Sequence, residues 1–208
     1  MTKLALIDLD GVVIDATARF RRAEQAKEDF LNNRSYDDRI NALFSGADPE
    51  KQAVEVYWRV ALDPAACTLD TLVPGAQEAI VNLRREGFRI VYLTSRPTAM
   101  EDATLLQLLN AGLHDDQTLL VMKSSAFQYV KTIVWKAGMA DTLVRTLNAE
   151  VLLVVDDEQP HLDHIRRVVE KRCPVRLYKS LAAVVDPAEG AAGQGDPFLP
   201  DFPEEEAE

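Results

Sequence analysis

Cysteine is nearly missing from this chain: 208 residues carry only Cys67 and Cys173. Two such residues make neither a disulfide framework nor a metal-binding spacing, so a stapled secreted scaffold is excluded and a reducing compartment is expected. No apolar run approaches the roughly 20 residues that a membrane helix needs. The amino terminus passes from Met-Thr-Lys straight into an apolar run, without the basic, apolar and cleavage-site pattern of a signal peptide. A soluble, cytoplasmic protein is the expectation. Histidine is scarce too. His161 and His164 share one helical stretch, have no metal-ligand partner at useful spacing, and read as structural or surface residues. No internal repeat is present.

Basic residues are absent from the carboxyl end. From Asp186 onward there are eight acidic residues and no lysine or arginine. The 34 acidic residues less these eight leave 26 against 23 basic, so the body of the chain is close to neutral despite a formal net charge of −11. That is a poor electrostatic footprint for a general nucleic-acid binder, which needs Lys and Arg for phosphate contacts. It leaves room for an enzyme acting on a phosphorylated end.

What the chain does have is apolar residues, 47% of the total, enough for one sizeable core. Short apolar runs at residues 3–8, 89–94, 118–122, 150–156 and, more weakly, 174–179 read as buried strands. Helical patterns lie between them: an Ala79, Ile80, Leu83 stripe after Pro74-Gly75, a capping box of Thr98 and Glu101 before a Leu-rich stretch, and residues 126–148 and 160–172. Gly138 is a candidate break in the third of these. Alternating strands and helices predict an α/β fold, a Rossmann-like open parallel sheet with helices on both faces. Residues 16–70 break the rhythm, with helical patterns only, and Asp48-Pro49-Glu50 is a good helix start. The expected organisation is a core of residues 1–15 and 71–180, a small helical cap insertion at 16–70, and an acidic, disordered tail at 181–208.

In an open parallel sheet, ligands bind beyond the carboxyl ends of the strands. The first run ends in Asp8 and Asp10, within "LALIDLDGVVID"; the second in Thr94-Ser95-Arg96; the fourth in Asp156-Asp157. Carboxylates, hydroxyls and a cation gathered at one edge suit a divalent metal and a phosphoryl group.

"LIDLDGVVID", "VYLTSRP" and "LLVVDDEQ", in this order at strand ends, resemble the first, second and fourth motifs of the haloacid dehalogenase-like hydrolases, over residues 1 to about 180. The resemblance implies that Asp8 is the nucleophile on phosphorus, giving an aspartyl-phosphate. Asp10 would protonate the leaving oxygen and then activate water. Mg²⁺ is the implied cofactor, held by Asp8, the Asp10 carbonyl and one or both of Asp156 and Asp157. Thr94 would bond a phosphoryl oxygen, with Ser95 and Arg96 as candidate substrate-binding residues. The family's third motif is a lysine, assigned to Lys136 with Lys131 as the alternative; Lys123 lies in the same interval. Arg96 reads equally as a surface residue flanking a helix. Arg19, Arg21 and Arg22 read first as a solvated helix face and second as recruiters of an anionic substrate, and Trp58 and Trp135 read as packing residues.

Within the family, Asp10 speaks against the dehalogenating branch, and Gly11-Val12-Val13 does not match the ion-pumping ATPases. The expected activity is therefore hydrolysis of a phosphomonoester. A phosphomutase using the same residues is one alternative, and a non-catalytic phospho-acceptor of receiver type, or a member that only binds a partner, is another. The expected partner is a phosphorylated small molecule. The run "VWKAGMADTLVRTLNAEVLLVVDDEQPHLDHIRRV" looks like the corresponding stretch of the phosphatase half of polynucleotide kinase–phosphatases, which would imply a nucleotide or a nucleic-acid 3′-phosphate end.

Overall fold

A computed structural model of the protein describes residues 2–35, 38 and 48–185. Five strands, β1 (Lys3–Ile7), β4 (Phe88–Pro97), β5 (Leu119–Lys123), β6 (Val151–Val155) and β7 (Val175–Tyr178), form one parallel sheet in the order β5-β4-β1-β6-β7. Counting these strands alone, the order is third, second, first, fourth, fifth. A receiver domain has the flavodoxin-like order, in which the first strand separates the second from the third. The receiver alternative is thus excluded by topology.

Side chains alternate across each strand, so every central strand feeds two cores. Ala5, Ile7, Ile90, Tyr92, Leu153 and Val155 pack on one face against α3 (Ala76–Arg85), Leu108 of α4 (Glu101–Asn110) and Leu181 of α7 (Leu181–Val185). Leu4, Leu6, Val91, Leu93, Leu152 and Val154 pack on the other, against Trp135, Ala140 and Val144 of α5 (Thr132–Thr146) and Leu162, Ile165 and Val169 of α6 (Gln159–Val169). Burial on both faces explains why the strands read as continuous apolar runs.

Two further helices, α1 (Thr17–Asn32) and α2 (Pro49–Ala61), lie between β1 and the rest of the sheet. They pack together through small residues, with Ala23, Ala53 and Ala61 fully buried. The two-residue strands β2 (Ile14–Asp15) and β3 (Thr71–Leu72) pair antiparallel where the chain leaves for this insertion and returns. Residues 36, 37 and 39–47, inside the expected cap, lie outside the described residues. Asp48 caps α2, accepting from the Glu50 and Lys51 amides, as the Asp-Pro-Glu signal predicts.

Several expectations need correction. The tail at 186–208 lies outside the described residues, but 181–185 is helical, with Leu181 and Ala183 buried in the core rather than in a disordered tail. The Thr98–Glu101 capping box does not form: β4 runs on to Pro97, a 3₁₀ turn occupies Thr98–Met100, and α4 starts at Glu101 without a side-chain cap. α5 begins only at Thr132, and Gly138 sits within it without breaking it.

Candidate active site

The chain knots immediately after β1. The Leu9 carbonyl accepts from the amides of Val12, Val13 and Ile14 at 3.2, 2.9 and 2.8 Å, and the Gly11 amide donates to the Ile14 carbonyl at 2.8 Å. This accounts for the second apolar run, since Leu9, Val12, Val13 and Ile14 are buried under the sheet. Gly11 has a φ of 83°, open to glycine at little cost, and a Cβ there would overlap the Asp157 carboxylate. Gly11→Ala should therefore lower stability by at least about 1–2 kcal/mol, the usual cost of a left-handed L-residue. An unchanged urea midpoint would mean that this turn is not as described.

The turn leaves Asp8 facing α5. Its Oδ1 accepts from the Leu9 amide at 2.9 Å, and its Oδ2 lies 2.7 Å from Lys136 Nζ. The same ammonium donates to Asp156 Oδ2 at 2.6 Å. The other oxygen of Asp156 lies 3.0 Å from His161 Nδ1 and accepts from the Glu158 amide, also at 3.0 Å. Burial opposes charge on Lys136, yet Asp8 and Asp156 outweigh it and hold its pKa above the ordinary lysine value. Burial likewise opposes the Asp156 carboxylate, but His161 and Lys136 together keep its pKa low. For Asp8 burial wins: it pushes the carboxyl up to about 7 against the pull of Lys136, with help from Asp156. Asp157 is raised as well, by burial first and then by Asp156. One ligand atom each from Asp8, Asp156 and Asp157 lies within 4.8 Å of the others, a hard-oxygen cluster rich in charge for its single lysine.

Asp10 is held differently. Its Oδ1 accepts from Arg19 Nη2 and Arg96 Nη2, both at 2.6 Å, and its Oδ2 from Arg96 Nε at 3.0 Å. Both arginines also bond Asp70, Arg19 through Nε at 2.9 Å and Arg96 through Nη2 at 3.0 Å. Arg96 Nη1 donates further to Thr104 Oγ1 and Gln107 Oε1, and Gln107 Nε2 to Asp70 Oδ2. The result is a ring of two arginines and two aspartates, with Arg19, Arg96 and Asp70 essentially out of solvent.

Asp8, Asp10, Ser95, Arg96, Lys136 and Asp157 all border one cavity of about 700 Å³ at the carboxyl edge of the sheet. Thr94 is brought to the same strand end but is buried, and its hydroxyl accepts from the Arg96 amide at 3.2 Å. Ser95 is the exposed hydroxyl. Of the candidate lysines, Lys136 is in the cluster; Lys131 is an exposed residue at the start of α5, and Lys123 donates to the Val130 carbonyl.

Two assignments change, those of Arg19 and Trp58, and for Arg96 and His161 the surface alternative is ruled out. Arg19 is fully buried rather than on a solvated face, although Arg21 and Arg22 are exposed as expected. The available signal was its spacing: Arg19 shares a helix face with Ala16 and Ala23, both buried. Arg96 is likewise not at the surface. His161, read as structural or surface, borders the cavity and bonds Asp156. Trp58, read as a packing residue, is 49% exposed and borders the cavity, whereas Trp135 does pack in the core. Asp70 gave no sequence signal at all.

No family model and no curated protein matches the sequence. Known structures do resemble it. A haloacid dehalogenase-like family hydrolase from Streptococcus pneumoniae superposes with a TM-score of 0.60 at 13% identity, over 88% of this chain and 97% of that one. A subfamily IA hydrolase of the same superfamily from Geobacter sulfurreducens gives 0.52 at 14% identity, over 89% and 95%. CbbY from Rhodobacter sphaeroides, determined in complex with phosphate, gives 0.52 at 18% identity, over 88% and 96%. The chain is an α/β domain with its polar cluster at the carboxyl edge of a parallel sheet. Its fold is that of the haloacid dehalogenase-like hydrolases.

Proposed function

We propose that the protein is a Mg²⁺-dependent phosphatase that hydrolyses a phosphomonoester through an aspartyl-phosphate at Asp8. The observation that carries this reading is Lys136 Nζ standing between Asp8 and Asp156, with Asp157 and open space in front of them. One Asp8 oxygen attacks phosphorus and the P–O bond to the leaving group breaks; water then attacks the acyl phosphate and regenerates Asp8. Lys136 offsets the charge that Asp8 and the phosphoryl group bring together. Ser95, the exposed hydroxyl on the cavity, would donate to a phosphoryl oxygen, while Thr94 holds the Arg96 amide beside it.

Asp10 is the proton carrier, giving a proton to the leaving oxygen and taking one from the attacking water. As positioned it accepts on both oxygens, which suits the second task. The first requires an oxygen freed from the guanidinium ring.

The carboxylate cluster fits a hard divalent cation. Asp8, Asp157 and the Asp10 carbonyl would hold it, with Asp156, which also accepts from Lys136 and the Glu158 amide, beside them in the same cluster. When bound, Mg²⁺ neutralises charge so that an anionic phosphate can approach an anionic nucleophile. Hydrolysis of p-nitrophenyl phosphate in Mg²⁺ and in EDTA tests the reading, with a beryllofluoride adduct at Asp8 as the second measurement. Absence of both turnover and adduct in Mg²⁺ would overturn it.

A pH dependence follows for the metal-free protein. The Asp8 carboxyl is raised from 3.8 to about 7 by burial. A folded-state pKa above the unfolded one adds stability at low pH, and that increment disappears as pH rises through the folded value. In EDTA the melting temperature should therefore fall between roughly pH 4 and pH 7 and level off above the folded value. Added Mg²⁺ should oppose the fall, and Asp8→Asn should flatten it. Differential scanning fluorimetry across that range checks the sign.

A further inference from the structure

The cavity has two unlike walls. On the sheet side stand Asp8, Lys136 and Asp157; on the helical side stand Phe20 of α1 and Trp58 and Leu62 at the end of α2. Trp58 and Leu62 are four residues apart, one helical turn, and so share a face. The seam between the two helices buries Ala23, Ala53 and Ala61 completely, whereas the indole stays half exposed. Trp58 leaves 49% of its surface open and borders the same cavity as the charged cluster. Its ring is steadied by Tyr57, edge-on at 5.0 Å between centroids and 87° between planes. Phe20 is steadied from the other side by the Arg19 guanidinium, 4.9 Å from its ring centroid. Restrained aromatic faces beside a polar cluster are the usual composition of a site for a ligand with one flat apolar part and one charged part.

We propose that Trp58, with Phe20 and Leu62, seats a flat aromatic ring carried by the leaving group, so that the substrate is a ring-bearing phosphomonoester such as a nucleoside monophosphate or an aryl phosphate. The inference rests on the phosphatase reading, which puts the phosphoryl group at Asp8. The carboxylates of Asp15 and Glu158, which the proposed metal does not use, also border the cavity and oppose further phosphates on the same ligand, which favours a monophosphate over a polyphosphate. Ring stacking on an aromatic side chain tolerates variation of the ring, so the wall selects for flatness rather than for one base. A second copy of this chain is the rival occupant, because Val54 continues the exposed stripe one turn before Trp58. Val54, however, does not border the cavity, whereas Trp58, Leu62 and Phe20 do.

The chain has two tryptophans, Trp58 half exposed and Trp135 buried, so ligand quenching of tryptophan fluorescence reports on Trp58. The measurement uses the full chain as the Asp8→Asn variant in Mg²⁺, titrated with nucleoside monophosphates, phosphotyrosine, ribose 5-phosphate and inorganic phosphate. The ring-bearing esters should bind about 5- to 150-fold more tightly than ribose 5-phosphate, the range of one stacked ring. They alone should quench. Trp58→Ala should remove that advantage and leave ribose 5-phosphate unchanged, and Trp58→Phe should keep most of it. The nucleotide and phosphotyrosine arms separate the two ring sources. Equal affinity of ringed and ringless esters overturns the proposal, as does an advantage that survives Trp58→Ala. Ligand-free quenching that grows with protein concentration also overturns it, in favour of self-association. Inorganic phosphate binding together with p-nitrophenyl phosphate turnover by the parent protein, but without a ring advantage, overturns this inference alone. Loss of all phosphate binding together with no turnover by the parent protein overturns the phosphatase reading as well.

Discussion

Asp8→Asn should abolish turnover, lowering kcat by about 10⁴-fold or more, while leaving the fold intact. The size of the loss follows from the step that disappears. An amide oxygen is a poor nucleophile, so no acyl phosphate forms and no two-step route is left. Stability should move little or upward in the metal-free protein. Burial already disfavours the Asp8 charge, and the neutral side chain removes its repulsion with Asp156. Lys136→Ala makes the informative contrast. It too should lose activity, but it leaves Asp8 and Asp156 close together and buried without their shared cation. Unpairing a buried charge typically costs about 3–5 kcal/mol, so this variant should melt well below the parent. Adding Mg²⁺ should return part of that loss. Activity measured beside a thermal melt separates the two cases: an Asp8→Asn variant that unfolds, or keeps its turnover, contradicts the role given to Asp8.

The sequence made the scaffold legible because parallel strands buried on both faces leave continuous apolar runs, and three of them end in the residues proposed for the site. Asp8 and Asp10, Thr94 to Arg96, and Asp156 and Asp157 are all strand-end residues, and Lys136 follows from its place on the helix feeding β6. What was not legible depends on partners far apart in the chain. Asp70 lies 51 residues from Arg19 and 26 from Arg96, and nothing local distinguishes it from any other loop aspartate. Trp58 failed for a different reason. Helical spacing reports which residues share a face but not whether that face meets a core or a cavity, and here the face of Trp58 borders the cavity. The capping box at Thr98 failed because a 3₁₀ turn takes up Thr98–Met100, so the α-helix starts at Glu101 and Thr98 never stands at its N-cap.

Asp70→Asn should destabilise the protein by about 3–5 kcal/mol and disturb catalysis without touching the cavity. Asp70 has no exposed side-chain surface, and it accepts from Arg19, Arg96 and Gln107. With its charge removed, two buried guanidiniums share Asp10 alone, which is 24% exposed and one unit short of neutralising them. For a chain of this size each kcal/mol shifts the melting temperature by about 2–4 °C, so a fall of roughly 6–20 °C is expected. Asp10→Asn should lose turnover with a smaller fall in melting temperature, because its carboxylate is partly solvated. The ring joins two parts of the chain, Arg19 and Asp70 from the helical insertion and Asp10 and Arg96 from the sheet edge. Its members should therefore fail to act independently. In a double-mutant cycle, Arg19→Met and Arg96→Met should couple by about 0.5–3 kcal/mol, as residues in one ion-pair network do. Additive effects, or an Asp70→Asn variant that melts with the parent, would mean that the four side chains do not form a single network. Coupling of the expected size would mean that the carboxylate proposed to move the proton is held by the same contacts that fasten the helices to the sheet.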